Sequence, residues 1–178
     1  ADDAGYRNLC RLVTDAHLEG MYYKPRIDLE LLAKHSDGLI GLSACLNGEV
    51  ARALEGDDWH YAVQTAGRYG DIFGKDRFYL EVQDHGLPEQ RALNEKLFRL
   101  APEVGLPLVL TNDLHYVHET QVEAHDVLLC IGTASNLDTP NRMRFNSGEF
   151  YLKSPERMAA LFPDRPELLA NTRRIADA

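Results

Sequence analysis

Four residues stand out by type and by place: Cys45, His85, Asp113 and His115. A thiol, two imidazoles and a carboxylate form a donor set suited to zinc or another transition-metal cation. Their separations of 40, 28 and 2 residues exclude a zinc finger, whose ligands come in tight local pairs. Asp113-Leu114-His115 is the strongest part of the set, because residues i and i+2 of an extended segment face the same way. Plainer roles stand beside these. A Cys after a buried strand is commonly a small core hydrophobe, and His85 next to Gly86 could be a turn residue. His118 follows closely, whereas His125 falls in a helical stretch and reads as a packing or capping residue. His17, His35 and His60 belong to no constellation and read as structural or surface residues.

A second chemical feature is Tyr22-Tyr23-Lys24-Pro25-Arg26. Aromatics and two cations in an extended segment could hold a phosphate or a single nucleic-acid strand through Lys24 and Arg26; the alternative is a packed aromatic hinge. Neither a Walker-type phosphate loop nor Gly-x-Gly-x-x-Gly nor Gly-x-Ser-x-Gly occurs. Dinucleotide-binding and α/β-hydrolase readings are therefore disfavoured.

The elements that must position these residues alternate in type. A helix is expected over 5–20, an extended connection over 21–27, and a short helix from Leu29 to His35 capped by Asp28. Leu39–Ser43, Arg77–Val82 and Leu106–Thr111 read as strands. Helices follow over Trp59–Tyr69 (stopped by Gly70), Leu87–Leu100 and Val122–Ile131. Strands joined by helical crossovers predict a parallel α/β sheet or barrel. Cys45, His85 and the Asp113–His115 pair each fall one to four residues past a strand's C-terminal end, and in such folds those ends converge on one face, where sites are built. Beyond Gly132 the chain reads as a polar loop to Gly148, a short strand at Phe150–Leu152, a helix capped by Ser154 with Pro155 in its first turn, and an amphipathic helix over 166–178. These closing segments could form a subdomain, with a boundary at 132/133.

The 178 residues carry 19 Lys plus Arg against 28 Asp plus Glu, a net charge of −9, with 44% apolar and 26% charged residues. That is an ordinary globular composition, and no window is apolar enough for a membrane helix. The acid excess argues against a generic DNA-coating surface. Between 101 and 141 there is no Lys or Arg but six acidic residues, which would attract divalent cations or form a solvated acidic face. Cys10, Cys45 and Cys130 suggest three free thiols in a reducing cytoplasm rather than a disulfide framework. The opening Ala-Asp-Asp-Ala, with neither Met nor signal peptide, is how an internal piece of a longer chain would start.

Longer strings are then recognisable. Gly20-Met-Tyr-Tyr-Lys-Pro-Arg-Ile-Asp28, Leu42-Ser-Ala-Cys-Leu46, Glu81-Val-Gln-Asp-His-Gly-Leu-Pro-Glu-Gln90 and Thr111-Asn-Asp-Leu-His-Tyr116 closely resemble the polymerase and histidinol phosphatase (PHP) domain. The likeness is to the form of that domain found in alpha subunits of bacterial DNA polymerase III. Ala124–Cys130, Pro140–Phe145 and Phe150–Pro155 extend it over essentially the whole chain.

The resemblance implies part of a distorted seven-stranded (β/α) barrel over 1–132, its C-terminal portion. Residues 133–178 would be the loop and helices leading toward the polymerase palm. It implies a divalent metal site, zinc or manganese, of up to three ions in a complete domain. On this chain Cys45, His85, Asp113 and His115 occupy the matching ligand positions. A complete cluster would supply a metal-bound hydroxide for 3′–5′ exonucleolytic proofreading. In members with a degraded site, the domain would be a scaffold and a dock for a separate exonuclease subunit. The His-x-His expected near the domain's start, and the palm with its Mg2+ site, lie outside this chain. The piece alone is therefore expected to be inactive, and an arc of barrel should leave two strand edges open. Implied partners are DNA, deoxynucleotides and other replisome subunits (sliding clamp, clamp loader, exonuclease subunit), in a bacterial cytoplasm and without a membrane. A stand-alone small-molecule phosphoesterase is the remaining alternative.

Overall fold

In the computed structural model, which describes residues 1–178, helix α1 runs Asp3–Leu18. Asp2 caps it by accepting from the Gly5 amide at 2.8 Å, and Leu12 and Ala16 are its buried apolar residues. The chain then folds into a small antiparallel hairpin, β1 (Met21–Tyr22) and β2 (Lys24–Pro25), which turns on Tyr23 at φ +59°. Helix α2 (Leu29–Lys34) starts at Asp28, whose carboxylate accepts from the Leu31 amide, as the sequence predicts.

The parallel sheet follows: β3 (Gly41–Leu42), β4 (Phe78–Val82) and β5 (Leu108–Leu110), in spatial order β3-β4-β5. Leu42 pairs with Tyr79, and Val82 with Leu110. Consecutive parallel neighbours joined by helices bear out the α/β class. Between β3 and β4 lie α3 (Glu49–Glu55) and α4 (Trp59–Phe73), and between β4 and β5 lies α5 (Pro88–Val104). The core is built where these helices meet the sheet, around Val50, Leu54, Leu80, Val82, Leu97, Leu100 and Leu110. Burying such side chains contributes about 1.5–3 kcal/mol each.

Two details depart from the sequence reading. Helix α3 has no counterpart in the elements expected from sequence. Gly48, its N-cap, makes no side-chain capping bond, so the usual start signal is missing. Helix α4 runs through Gly70, because that glycine sits inside the helix against Leu106; a Cβ there would stand 3.0 Å from Leu106 Cδ2. The stop is Gly74, at φ +91°.

After β5 come a 3-10 turn (Glu119–Gln121), α6 (Val122–Gly132), α7 (Pro155–Leu161) and α8 (Glu167–Asp177). Residues 150–152 do not form a strand; a single parallel bridge joins Tyr151 to Tyr116. Helix α8 returns to the sheet, with Leu168 fully buried in the main core. Asn171 Nδ2 donates to the Leu108 carbonyl at 2.8 Å and Thr172 Oγ1 to the Leu110 carbonyl at 3.2 Å. The β5 edge is thus not open, as an arc of barrel would leave it: a helix from the far end of the chain satisfies its carbonyls.

Candidate functional site

The C-terminal ends of the three parallel strands are tied together by side chains. Ser43, just past β3, accepts from the Glu81 amide at 2.8 Å. Gln83, just past β4, donates to Glu81 Oε1 at 3.2 Å and to Thr111 Oγ1 at 3.1 Å, and Thr111 donates in turn to the Glu81 carboxylate. Ser43, Glu81, Gln83 and Thr111 carry no signal in the sequence. None is unusual in its own window, and only strand register brings them together.

His85 lies on this frame but faces inward. It is 1% exposed, and its ring stacks on Phe150 with centroids 4.1 Å apart. Nε2 lies 2.7 Å from the Asn112 carbonyl oxygen, which can only accept, so Nε2 carries the proton. Nδ1 then accepts from Gln90 Nε2 at 2.8 Å, while Gln90 Oε1 accepts from the His85 amide. Both ring nitrogens are committed to the protein.

Asp113 and His115 are brought together, by a different route from the one expected. Asp113 sits at φ +41°, not in an extended segment. Its carboxylate Oδ1 nevertheless lies 3.4 Å from His115 Nε2. The His115 backbone is held by its amide donating to the Phe150 carbonyl at 2.9 Å. Its ring meets Phe145 edge-on at 4.7 Å between centroids and lies 5.4 Å from the His125 ring. His125 on α6 therefore packs, as the sequence suggested, but within the cluster itself. Burial, then the neighbouring His115, hold its pKa below the ordinary histidine value.

Cys45, half-buried, shares an open cleft of about 310 Å³ with Asp113, Glu89, Arg144, Phe145 and Phe150. Arg144, Phe145 and Asn146 also line a second cleft, of about 430 Å³, with Glu123, His125 and Asp126. Asp126 is not a free anion. Arg142 grips it with two bonds of 2.5 Å and draws its carboxyl below the usual aspartate range. Glu119 pairs with Arg157 at 3.1 Å. The apparent acidic stretch of 101–141 is thus partly neutralised by cations that follow it in sequence.

Would a metal ion fit these residues? No three His, Cys, Asp or Glu side chains converge to hold one. The chain offers the Asp113–His115 pair, with Cys45 across the same cleft, while His85 has no free lone pair to give. Taken alone, these residues do not complete a coordination shell. Lys24 and Arg26 line neither cleft. They sit on the exposed hairpin, where the Arg26 guanidinium stacks 5.3 Å over the Tyr22 ring and Tyr23 is 88% exposed.

Comparison with known proteins bears out the resemblance read from the motifs. The family described as PHP domain matches residues 1–85. The chain is 50% identical over 175 residues to DNA polymerase III subunit alpha of Treponema pallidum, covering 98% of this chain and 15% of that one. It is 43% identical over 176 residues to the Borreliella burgdorferi protein of the same name (99% and 15%) and 47% identical over 163 residues to that of Thermus aquaticus (92% and 13%). The chain spans about 15% of the length of such relatives.

Proposed function

We propose that this chain, related along nearly its whole length to one segment of DNA polymerase III alpha subunits, serves in the same replicative polymerase and contributes part of its PHP domain. The observation that carries this reading is identity of 40–50% over more than nine-tenths of the chain to several alpha subunits. A parallel βα arrangement supports it by placing Cys45 and Asp113 in one cleft at the strand ends. On this reading residues 1–132 are the C-terminal portion of the PHP domain. Residues 133–178 lead toward the polymerase core while packing back on β5 through α8.

In the full-length protein Cys45, Asp113 and His115 would supply part of a divalent metal site, zinc or manganese, with the remaining donors coming from outside this chain. The polymerase reaction, with its Mg2+, would also lie outside it. Template DNA and deoxynucleotides would be the substrates, the sliding clamp, clamp loader and an exonuclease subunit the partners, and a bacterial cytoplasm the setting. Lys24 and Arg26, flanked by exposed tyrosine rings, would contact a single strand.

The test uses the full-length protein. Primer extension with Mg2+ and deoxynucleotides should proceed, and its absence would overturn the polymerase reading. Elemental analysis should find bound zinc or manganese that falls in His115→Ala with primer extension retained. Unchanged metal content would remove His115 from the site. A second reading, a non-catalytic scaffold and docking domain, is favoured by the engagement of both His85 ring nitrogens and the lack of a converging donor triad. It predicts full-length protein that extends primers yet carries no metal beyond the Mg2+ of its polymerase site.

A further inference from the structure

We propose that His85 is a positioning residue and not a metal ligand: buried between Gln90, Asn112 and Phe150, it holds the turn that presents Asp113 and His115. The proposal deepens the metal-site reading above and rests on it for its metal readout, though not for its structural one.

A metal needs an imidazole lone pair. The Nε2 of His85 carries its proton toward the Asn112 carbonyl, and the Nδ1 lone pair is filled by the Gln90 amide. Gln90 in turn is fixed by accepting from the His85 backbone amide at 2.8 Å. The Asn112 carbonyl thus sets the tautomer and Gln90 fixes the orientation of the ring. At 1% exposure the ring has no route to solvent without unpacking from Phe150.

What His85 holds is specific. The Asn112 carbonyl immediately precedes Asp113, whose positive φ of +41° is a conformation that a non-glycine residue keeps only when its surroundings impose it. Anchoring the carbonyl on one side of that turn fixes where the Asp113 side chain leaves the backbone. The Asn112 side chain is anchored too: its amide donates to the Tyr151 carbonyl, and its oxygen accepts from the buried Lys153 at 3.1 Å. His85 also steadies the strap of residues 147–153. Phe150 stacks on its ring, and Ser147 Oγ donates to its carbonyl at 2.6 Å. That strap provides the Phe150 carbonyl for the His115 and Tyr116 amides. One buried imidazole therefore reaches the Asp113–His115 pair from both sides.

Two substitutions separate a positioning role from a ligand role. In His85→Gln the side-chain amide can still donate to the Asn112 carbonyl but is a poor metal ligand. In His85→Phe the ring and its stacking stay while both nitrogens go. The first measurement is hydrogen exchange by mass spectrometry on the full-length protein, following peptides over residues 113–117. The protection of the His115 and Tyr116 amides should fall in His85→Phe and be retained in His85→Gln. Gln90→Leu, which keeps the ring and its Asn112 bond but removes the partner of Nδ1 and of the His85 amide, should show partial loss and serves if His85→Phe fails to fold. The second measurement is metal affinity by chelator competition. It should drop about tenfold or more in His85→Phe and stay near the unaltered value in His85→Gln.

Equal loss of metal in His85→Gln and His85→Phe, with protection intact in His85→Gln, would make His85 a ligand and overturn the proposal. Unchanged exchange in both His85→Phe and Gln90→Leu would also overturn it. Full-length protein that binds no metal fails the metal-site reading alone, because the exchange result still decides the positioning role.

Discussion

Asp113 Oδ1 lies 3.4 Å from His115 Nε2, across a turn in which Asp113 holds φ +41°. The pair does not owe its proximity to extended geometry. A left-handed residue folds the chain back on itself, and the Asn112 carbonyl before it is pinned by His85 at 2.7 Å. The contact is only partly screened from water, so as an ion pair it adds little to stability. Its importance lies in placing a carboxylate and an imidazole side by side at the strand ends.

That backbone conformation gives the first prediction. Asn and Gly enter the left-handed region readily, whereas β-branched residues do not. Asp113→Asn and Asp113→Gly should therefore leave unfolding in urea near that of the unaltered protein. Asp113→Val should lower stability by roughly 1–3 kcal/mol through backbone strain. Equal midpoints for Asp113→Val and Asp113→Asn would show that the turn is not what constrains this position.

Helix α8 gives the second. Leu168 is fully buried in the core that β4, β5 and α5 share. Replacing it with Ala removes apolar contact and leaves a cavity, so Leu168→Ala should destabilise by about 2–5 kcal/mol. The neighbouring Asn171 donates to the buried Leu108 carbonyl at 2.8 Å. Asn171→Leu leaves that acceptor unpaired and should cost about 1–3 kcal/mol. Both are read from urea midpoints with the m-value checked for constancy. If neither changes stability, residues 167–177 do not belong to the cooperative unit of the sheet.

How much of this was legible in the sequence follows from the range of each interaction. The parallel βα order was readable because apolar runs and helical spacing are local signals, and the convergence of Cys45 and Asp113 followed from strand order alone. The roles inside the cluster were not readable. Whether His85 turns outward to a ligand or inward depends on Gln90, Asn112 and Phe150, and Phe150 is 65 residues away. The acidic stretch looked uncompensated because Arg142 and Arg157 lie just beyond its end. His125 enters the cluster beside His115 and Tyr116 and against Phe145, which lies on the far side of a long loop. Helix α3 is illegible for a local reason: two turns between Gly48 and Gly56, without a side-chain cap, carry little pattern.

The third prediction concerns pH. The Glu49 carboxylate accepts from Tyr61 at 2.6 Å, Tyr69 at 2.8 Å and Arg68 at 2.9 Å, and these bonds, Tyr61 first, hold its pKa below the ordinary value. Burial, then the Glu49 bond, push the Tyr69 phenol up to about 12 from an ordinary 10.0. A raised pKa in the folded state contributes stability that is complete below the unfolded value and is lost as pH rises through the folded one. The protein should therefore lose stability between pH 10 and about 12. Glu49→Gln removes the charge but not the burial. Ultraviolet titration of the phenolate should thus show the slowest-titrating tyrosine moving part of the way back toward 10.0. A Tyr69 midpoint that does not move in Glu49→Gln would assign the whole shift to burial.

The fourth prediction concerns the hairpin. Tyr23 is 88% exposed while holding φ +59°, so folding gains little from that ring. Tyr22 is 64% exposed, edge-on to Tyr23 at 4.7 Å, with the Arg26 guanidinium 5.3 Å over its ring. Exposed rings offer stacking faces to unpaired bases, and Lys24 and Arg26 offer charge to the phosphates between them. In the full-length protein, Tyr23→Ala should weaken binding of a fluorescent oligothymidylate by about 1–3 kcal/mol, the range for one stacked base. Lys24→Ala and Arg26→Ala should each flatten the dependence of log affinity on log salt by about 0.7 per lost phosphate contact. Tyr23→Ala should leave that slope unchanged, because stacking releases no counterions. If the charge variants weaken binding equally at all salt concentrations, they act by disturbing the hairpin. If all three bind like the unaltered protein, the hairpin does not contact the strand.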